Sequence, residues 1–253
     1  MFLKFFTKIK KMPNQKIGIL YICTGKYHIF WHKFYKTANK YFCKDSEVHY
    51  FVFTEHPIKT FGNKRVHHIV QPKLGWPYDT LKRFHLFLGQ RDALEKMDYL
   101  FFFNANMEFK NKVTEKEILP EKNSTGLVSV LHSSFYDHKR PAPFEDNKES
   151  VAYIAPNLAR NYYQGCLSGG KTPVYLAMAE EISKMVDADL ANSIIGKWWD
   201  ESYMNKYFVN NIPKALAPSF AYPQGGKLPM KIKILMYEKS NFGGHAFLRD
   251  SVN

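Results

Sequence analysis

Met97-Asp-Tyr-Leu-Phe-Phe-Phe-Asn-Ala-Asn-Met-Glu-Phe109 is the stretch whose reading sets the fold. Its apolar core, Tyr99 to Phe103, lacks the polar alternation of a half-exposed strand. So short and aromatic a run predicts a central strand covered on both faces, as in a mixed, mostly parallel sheet flanked by helices. The run stops at Asn104-Ala105-Asn106. Ligands gather at the carboxyl ends of strands in open α/β sheets, and asparagines two apart on an extended backbone send both amides to the same side. A polar turn closing the strand is the competing reading, because Asn is a common turn residue.

Around this strand the chain reads as one domain. It has 253 residues, 45% apolar and 23% charged, enough for a sizeable core. The formal net charge of +13 suits an anionic partner: a nucleotide, nucleic acid or an acidic membrane face. Nucleic acid is disfavoured, because the aromatic residues fall in predicted strands and helices instead of interleaving with a basic patch. Cys23, Cys43 and Cys166 form no C-x-x-C pair, so neither a zinc site nor a disulfide framework is indicated, and a reducing compartment fits. His49, His67 and His68 lie on strand faces without carboxylate or thiol partners at metal-ligand spacing.

Residues 1–11 alternate apolar and basic side chains but contain no apolar stretch long enough for a signal peptide or a membrane span. They read either as a cationic arm making weak contact with anionic lipid or as a frayed terminus. The expected organisation is therefore a basic arm, 1–15, before a single catalytic domain, 16–253. The expected location is the cytoplasm, with the inner membrane face as a peripheral option.

Ile17–Cys23 predicts a first strand, broken at Thr24-Gly25-Lys26 and followed by a helix carrying Phe30, Phe34, Ala38 and Phe42. Val48–Phe53, Val66–Val70 and Leu127–Leu131 predict further strands. Thr80 is placed to cap a helix bearing Leu81, Arg83, Phe84, Phe87 and Leu88. The glycines of Tyr162–Gly170 suggest close approach of backbone to a ligand. A helix is expected from about 173 to 185, and another after Trp198-Trp-Asp-Glu-Ser202. Neither G-x-G-x-x-G nor G-x-x-x-x-G-K-[ST] occurs in these places, so dinucleotide and ATP-type fingerprints are absent.

Several words, taken in order, carry a resemblance: Tyr21-Ile-Cys-Thr-Gly-Lys-Tyr27, the strand ending Asn104-Ala-Asn106, Leu131-His-Ser-Ser-Phe-Tyr136, Ala152-Tyr-Ile154, Tyr162-Tyr163, Ser168-Gly-Gly170 and Trp199-Asp-Glu-Ser202-x-x-Asn-Lys-Tyr-Phe208. The chain resembles glycosyltransferase family 6, which includes the blood-group A and B transferases and the α-1,3-galactosyltransferases. The resemblance runs from Ile17 to about Arg249. It implies a GT-A nucleotide-sugar transferase fold and retaining α-1,3 transfer of galactose or N-acetylgalactosamine from UDP-Gal or UDP-GalNAc to a terminal galactoside of a surface oligosaccharide such as lipopolysaccharide. A noncatalytic UDP-sugar or glycan-binding module is the alternative.

The resemblance implies roles by position. Glu201 would be the carboxylate acting at the anomeric carbon. Ile22, Tyr27, Arg83, Asn104, Asn106, Gln164, Gly165, Cys166 and Asp200 would bind the donor, together with Lys231, Lys233 and Arg249 of a mobile basic C-terminal segment. His132, Trp198 and Trp199 would meet the acceptor. Read without the resemblance, Asp200 and Glu201 are ordinary helix N-terminal acids and Arg83 a solvated helix residue. Three departures stand out: Ala142-Pro-Phe-Glu-Asp-Asn147 replaces the usual acceptor loop, Trp199 stands where relatives usually carry His, and Asn104 and Asn106 replace the two carboxylates of Asp-x-Asp. Neutral amides are poor ligands for Mn²⁺ or Mg²⁺, so no metal cofactor is expected and Lys and Arg must neutralise the diphosphate.

Overall fold

The computed structural model describes residues 15–249. The expected membrane contact of residues 1–11 lies outside them. Among the described residues, a seven-stranded sheet is formed by β1 (Lys16–Ile22), β2 (Glu47–Thr54), β3 (Val66–Val70), β4 (Tyr99–Phe103), β6 (Leu127–Leu131), β7 (Tyr163–Lys171) and β8 (Lys214–Leu216), in the order β3-β2-β1-β4-β7-β6-β8. A three-stranded sheet joins β5 (Met107–Phe109), β10 (Ile234–Met236) and β9 (Tyr222–Pro223). Every pairing in the large sheet is parallel except those of β7, which runs antiparallel to both β4 and β6. This is the expected mixed, mostly parallel GT-A-like sheet flanked by helices.

β4 lies at its centre and explains the unbroken aromatic run. Phe101 and Phe103 pack on one face with Phe34 and Phe42, while Leu100 and Phe102 pack on the other with Phe84, Phe87 and Tyr175. The helix Trp31–Tyr41 covers the first face, and Thr172–Ala191 covers the second. Each face therefore needs apolar residues, and alternation disappears.

Three local expectations change. The helix expected after Thr80 is two short pieces, Tyr78–Leu81 and Arg83–Leu88, separated at Lys82, whose φ of −96° and ψ of 14° leave helical geometry. Thr80 lies inside the first piece and caps neither. The glycine-bearing stretch is mostly strand β7, and Gly169 serves packing: a Cβ there would sit 2.1 Å from Cδ1 of Phe101. His49 is not without partners, since its ring bonds Glu47 at 2.7 Å and His67 at 3.0 Å. Strand spacing of two puts Glu47 and His49 on one face, a pairing that metal-ligand spacing does not reveal. The three cysteines are buried free thiols. Among the described residues, no helix is long and apolar enough to cross a membrane.

Candidate active site

A crevice of about 240 Å³ opens where β1 and β4 end. Because β7 runs in reverse, its first residues reach the same edge, and Asn104 N–H donates to the Cys166 carbonyl at 2.9 Å. Ile22, Tyr27, Asn104, Asn106, Gln164, Gly165 and Cys166 thus converge there. Arg83, Trp198, Trp199, Asp200 and Glu201 form a wall, and Lys239, His245 and Arg249 of the C-terminal segment close it.

Asp200 and Glu201 open the helix Asp200–Phe208, whose approach is fixed from below. Buried Asp189 of the long helix accepts hydrogen bonds from Ser150 Oγ (2.5 Å), Val151 N–H (2.9 Å) and Tyr203 Oη (2.9 Å), tying both helices to the loop beside them. Glu201 accepts the Gly165 N–H at 2.5 Å, and burial pushes its carboxyl up to about 7 against the lowering effects of that N–H and the Tyr162 hydroxyl. Asp200, 2% exposed, forms an ion pair with Arg83, 3% exposed. Burial raises the Asp200 carboxyl to about 6, with Arg83 opposing the rise.

Arg83 also donates to the Gly165 carbonyl at 2.6 Å and lies 4.3 Å over the Phe102 ring. Its guanidinium holds Asp200 and β7 through its two terminal nitrogens, while Nε is left at the crevice. Asn106 is likewise partly committed: Nδ2 donates to the Tyr237 carbonyl at 2.7 Å, while Oδ1 is buried without a partner. Gln164 Oε1 and Arg83 Nε are also buried and unpaired at the crevice. Unpaired buried polar atoms are costly, and a hydroxyl-rich ligand would satisfy them. Asn-Ala-Asn proves to be both a turn and a crevice edge, since Met107 N–H reaches the Asn104 carbonyl at 3.3 Å.

These residues do not fit a divalent cation. The two amides carry no charge and offer only neutral oxygens, weak replacements for the carboxylates that hold such an ion. Among the described residues there is also no cluster of three or more His, Cys, Asp or Glu able to hold a metal ion.

The expected cations divide. Arg249 lines the crevice, 3.3 Å over the Trp76 ring, and lies beside the Tyr27 hydroxyl. Lys231 and Lys233 do not line it. Lys231 is exposed, and Lys233 Nζ bonds Glu117 at 2.5 Å and the Lys112 carbonyl at 2.7 Å. The reason is β10, which pairs antiparallel with β5 so that Lys233 meets Lys110 at the end remote from the Asn turn. The chain regains the crevice only at Lys239, which sequence reasoning missed. Its ammonium lies 5.4 Å over the Tyr27 ring, and burial and then Arg249 lower its pKa. Leu248 is fully buried, so this end of the segment is packed onto the crevice.

On the acceptor side, Trp198 is 40% exposed and lines the opening. Trp199 has φ 52° and ψ −130°, a strained conformation for a bulky residue. Its ring packs edge-on against Trp76 at 4.2 Å, so aromatic contact holds what the backbone disfavours. His132 lies just outside the crevice, against Phe135 (4.8 Å) and Tyr162 (5.9 Å). Burial lowers its pKa to about 4, leaving a neutral ring whose Nδ1 accepts the Ser134 N–H at 3.1 Å.

A crevice at the carboxyl ends of β1 and β4, with desolvated acids, cations at the opening and unpaired amide oxygens, agrees with the GT-A-type nucleotide-sugar transferase that the resemblance implies. The model of glycosyltransferase family 6 matches residues 4–245, and the chain belongs to that family. It is 33% identical over 225 residues to the O-antigen biosynthesis glycosyltransferase WbnI of Escherichia coli, covering 88% of this chain and 94% of that one. It is 26% identical over 234 residues to human globoside α-1,3-N-acetylgalactosaminyltransferase 1, covering 88% of this chain and 66% of that one. Identity to rat histo-blood group ABO system transferase 1 is 29% over 224 residues, covering 85% and 63%. The chain thus spans about two thirds or less of these animal relatives. As a member of the family it uses a UDP-sugar donor.

Proposed function

We propose that this transferase moves galactose or N-acetylgalactosamine from UDP to a terminal galactoside in α-1,3 linkage, with retention and without a metal. The observation that carries the reading is Glu201, held by the Gly165 N–H beside the Asp200–Arg83 pair at the crevice wall. In the proposed step the bond from the anomeric carbon to the phosphate oxygen breaks and its electron pair leaves with UDP. The Glu201 carboxylate supports the positive charge that develops at carbon 1 on the opposite face. The acceptor hydroxyl then bonds carbon 1 from the side that UDP leaves, and its proton passes to the departing phosphate oxygen.

Lys239 and Arg249 are the cations placed to meet the diphosphate charge, and Asp200, oriented by Arg83, would receive sugar hydroxyls. The neutral His132 ring, its Nδ1 taken by the Ser134 N–H, can donate from Nε2 to an acceptor hydroxyl, with Trp198 offering a face to the sugar. A surface oligosaccharide is the acceptor class favoured, since one relative is named for O-antigen biosynthesis. UDP release with a panel of galactosides tests the reading. Release that depends on the galactoside, yielding an acceptor lengthened by one sugar, supports it. UDP-sugar binding without turnover on any acceptor would mark a binding module instead.

A further inference from the structure

The loop between β6 and β7 encloses a second cavity of about 510 Å³ that donor binding leaves unused. Phe135, Phe144 and Ile154 supply its apolar surface, with exposed Arg140, Arg160 and Lys197 around it. It abuts the reacting carboxylate across a single ring. Tyr162 packs edge-on against Phe135 (5.5 Å) and Phe144 (5.0 Å), while its hydroxyl faces Glu201. Lys197 is followed directly by Trp198 of the crevice.

The charges around this cleft do not cancel. Lys197 pairs with Asp146 at 2.8 Å, and buried Glu145 is taken up by the main-chain N–H groups of Asn147 (3.0 Å) and Lys197 (2.6 Å). Arg160 is braced, its Nη1 donating to the carbonyls of Asn157 (2.9 Å) and Ala159 (3.0 Å). Lys139 takes Asp137 at 3.2 Å, and Arg140 makes no ion pair among the described residues. Two guanidinium groups therefore face an apolar hollow without a carboxylate partner. That combination suits a sugar whose ring face rests on aromatic carbon while an anionic substituent takes paired N–H donors.

Resting on the glycosyl-transfer reading of the crevice, we infer that this cleft is an extended acceptor subsite for a carboxylate or phosphate group borne by the acceptor glycan, away from its reacting hydroxyl. Three galactose-terminated trisaccharides separate the possibilities: a neutral one, one with a uronic acid at the reducing end and one with a phosphate there. Calorimetric titration into the full chain with UDP present, alongside transfer kinetics, reads each. At least one anionic trisaccharide should bind about tenfold more tightly than the neutral one and show a correspondingly lower KM with similar kcat. The preferred anion identifies its source, and added salt should reduce the preference. The double variant Arg140→Ala, Arg160→Ala should lose the preference while keeping UDP affinity and neutral-acceptor kinetics. Equal binding of all three trisaccharides by the wild type, or an unchanged preference in the double variant, overturns the subsite. Absence of transfer to any of them, with the anionic preference in binding intact, would instead overturn the glycosyl-transfer reading.

Discussion

Glu201 acts as an anion in the proposed step, yet burial raises its carboxyl to about 7. An acid with a raised pKa is protonated below that value, so kcat/KM should fall as pH drops through about 7 and level off above it. Glu201→Gln should remove this limb and lower kcat about 100-fold or more, with UDP affinity retained in a direct titration. Arg83→Ala tests a different role. It leaves the Asp200 carboxyl buried without its cation, and removing one partner of such a pair costs about 3–5 kcal/mol, which denaturant unfolding would register. The family resemblance implies that Cys166 faces carbon 2 of the donor sugar, where its bulk would favour UDP-galactose; on that reading Cys166→Gly should move the kcat/KM ratio toward UDP-N-acetylgalactosamine by about 1–3 kcal/mol. A shift the other way would point to Gln164, whose unpaired Oε1 lines the same crevice, as the selecting group.

At the level of elements, β4 and β7 depend on each other. Phe101 opposes Gly169, and a methyl at Gly169 would meet that ring at 2.1 Å. Gly169→Ala should therefore destabilise by about 1–3 kcal/mol or more, read as a lowered urea midpoint. The aromatic run of β4 was legible in the sequence because burial on both faces erases periodicity, and Asn104 and Asn106 were legible as its carboxyl end. The reversal of β7 was not legible, because glycine content speaks equally of ligand approach and of room for a neighbouring ring. Nor could sequence distinguish Lys233 from Lys239. Both belong to one basic tail, and only the pairing of β10 with β5 turns the first toward Glu117 and leaves the second over Tyr27. The prediction that follows is a contrast: Lys239→Ala should reduce kcat/KM with UDP-sugar at least tenfold, while Lys233→Ala should leave it within about twofold.

Across the whole molecule the formal charge is +13, and two of its cations, Lys239 and Arg249, line the crevice that Asn104 and Asn106 also border. The segment bearing them is anchored at several points. Tyr237 exchanges main-chain and amide hydrogen bonds with Asn106, Leu248 is buried, and Lys73 Nζ donates to the Arg249 carbonyl at 3.2 Å. Asn106 is thus an anchor for the closing segment, a role that an aspartate, lacking the amide donor, could not fill toward a carbonyl. Charge neutralisation by the protein and charge support by Glu201 together form the central claim. Its most direct test is the anomeric configuration, read by NMR, of the product formed from carbon-1-labelled UDP-galactose and a β-galactoside in excess EDTA. An α-linked galactosyl product formed under chelation is the predicted result; a β-linked product, or none until Mn²⁺ is restored, would contradict the account.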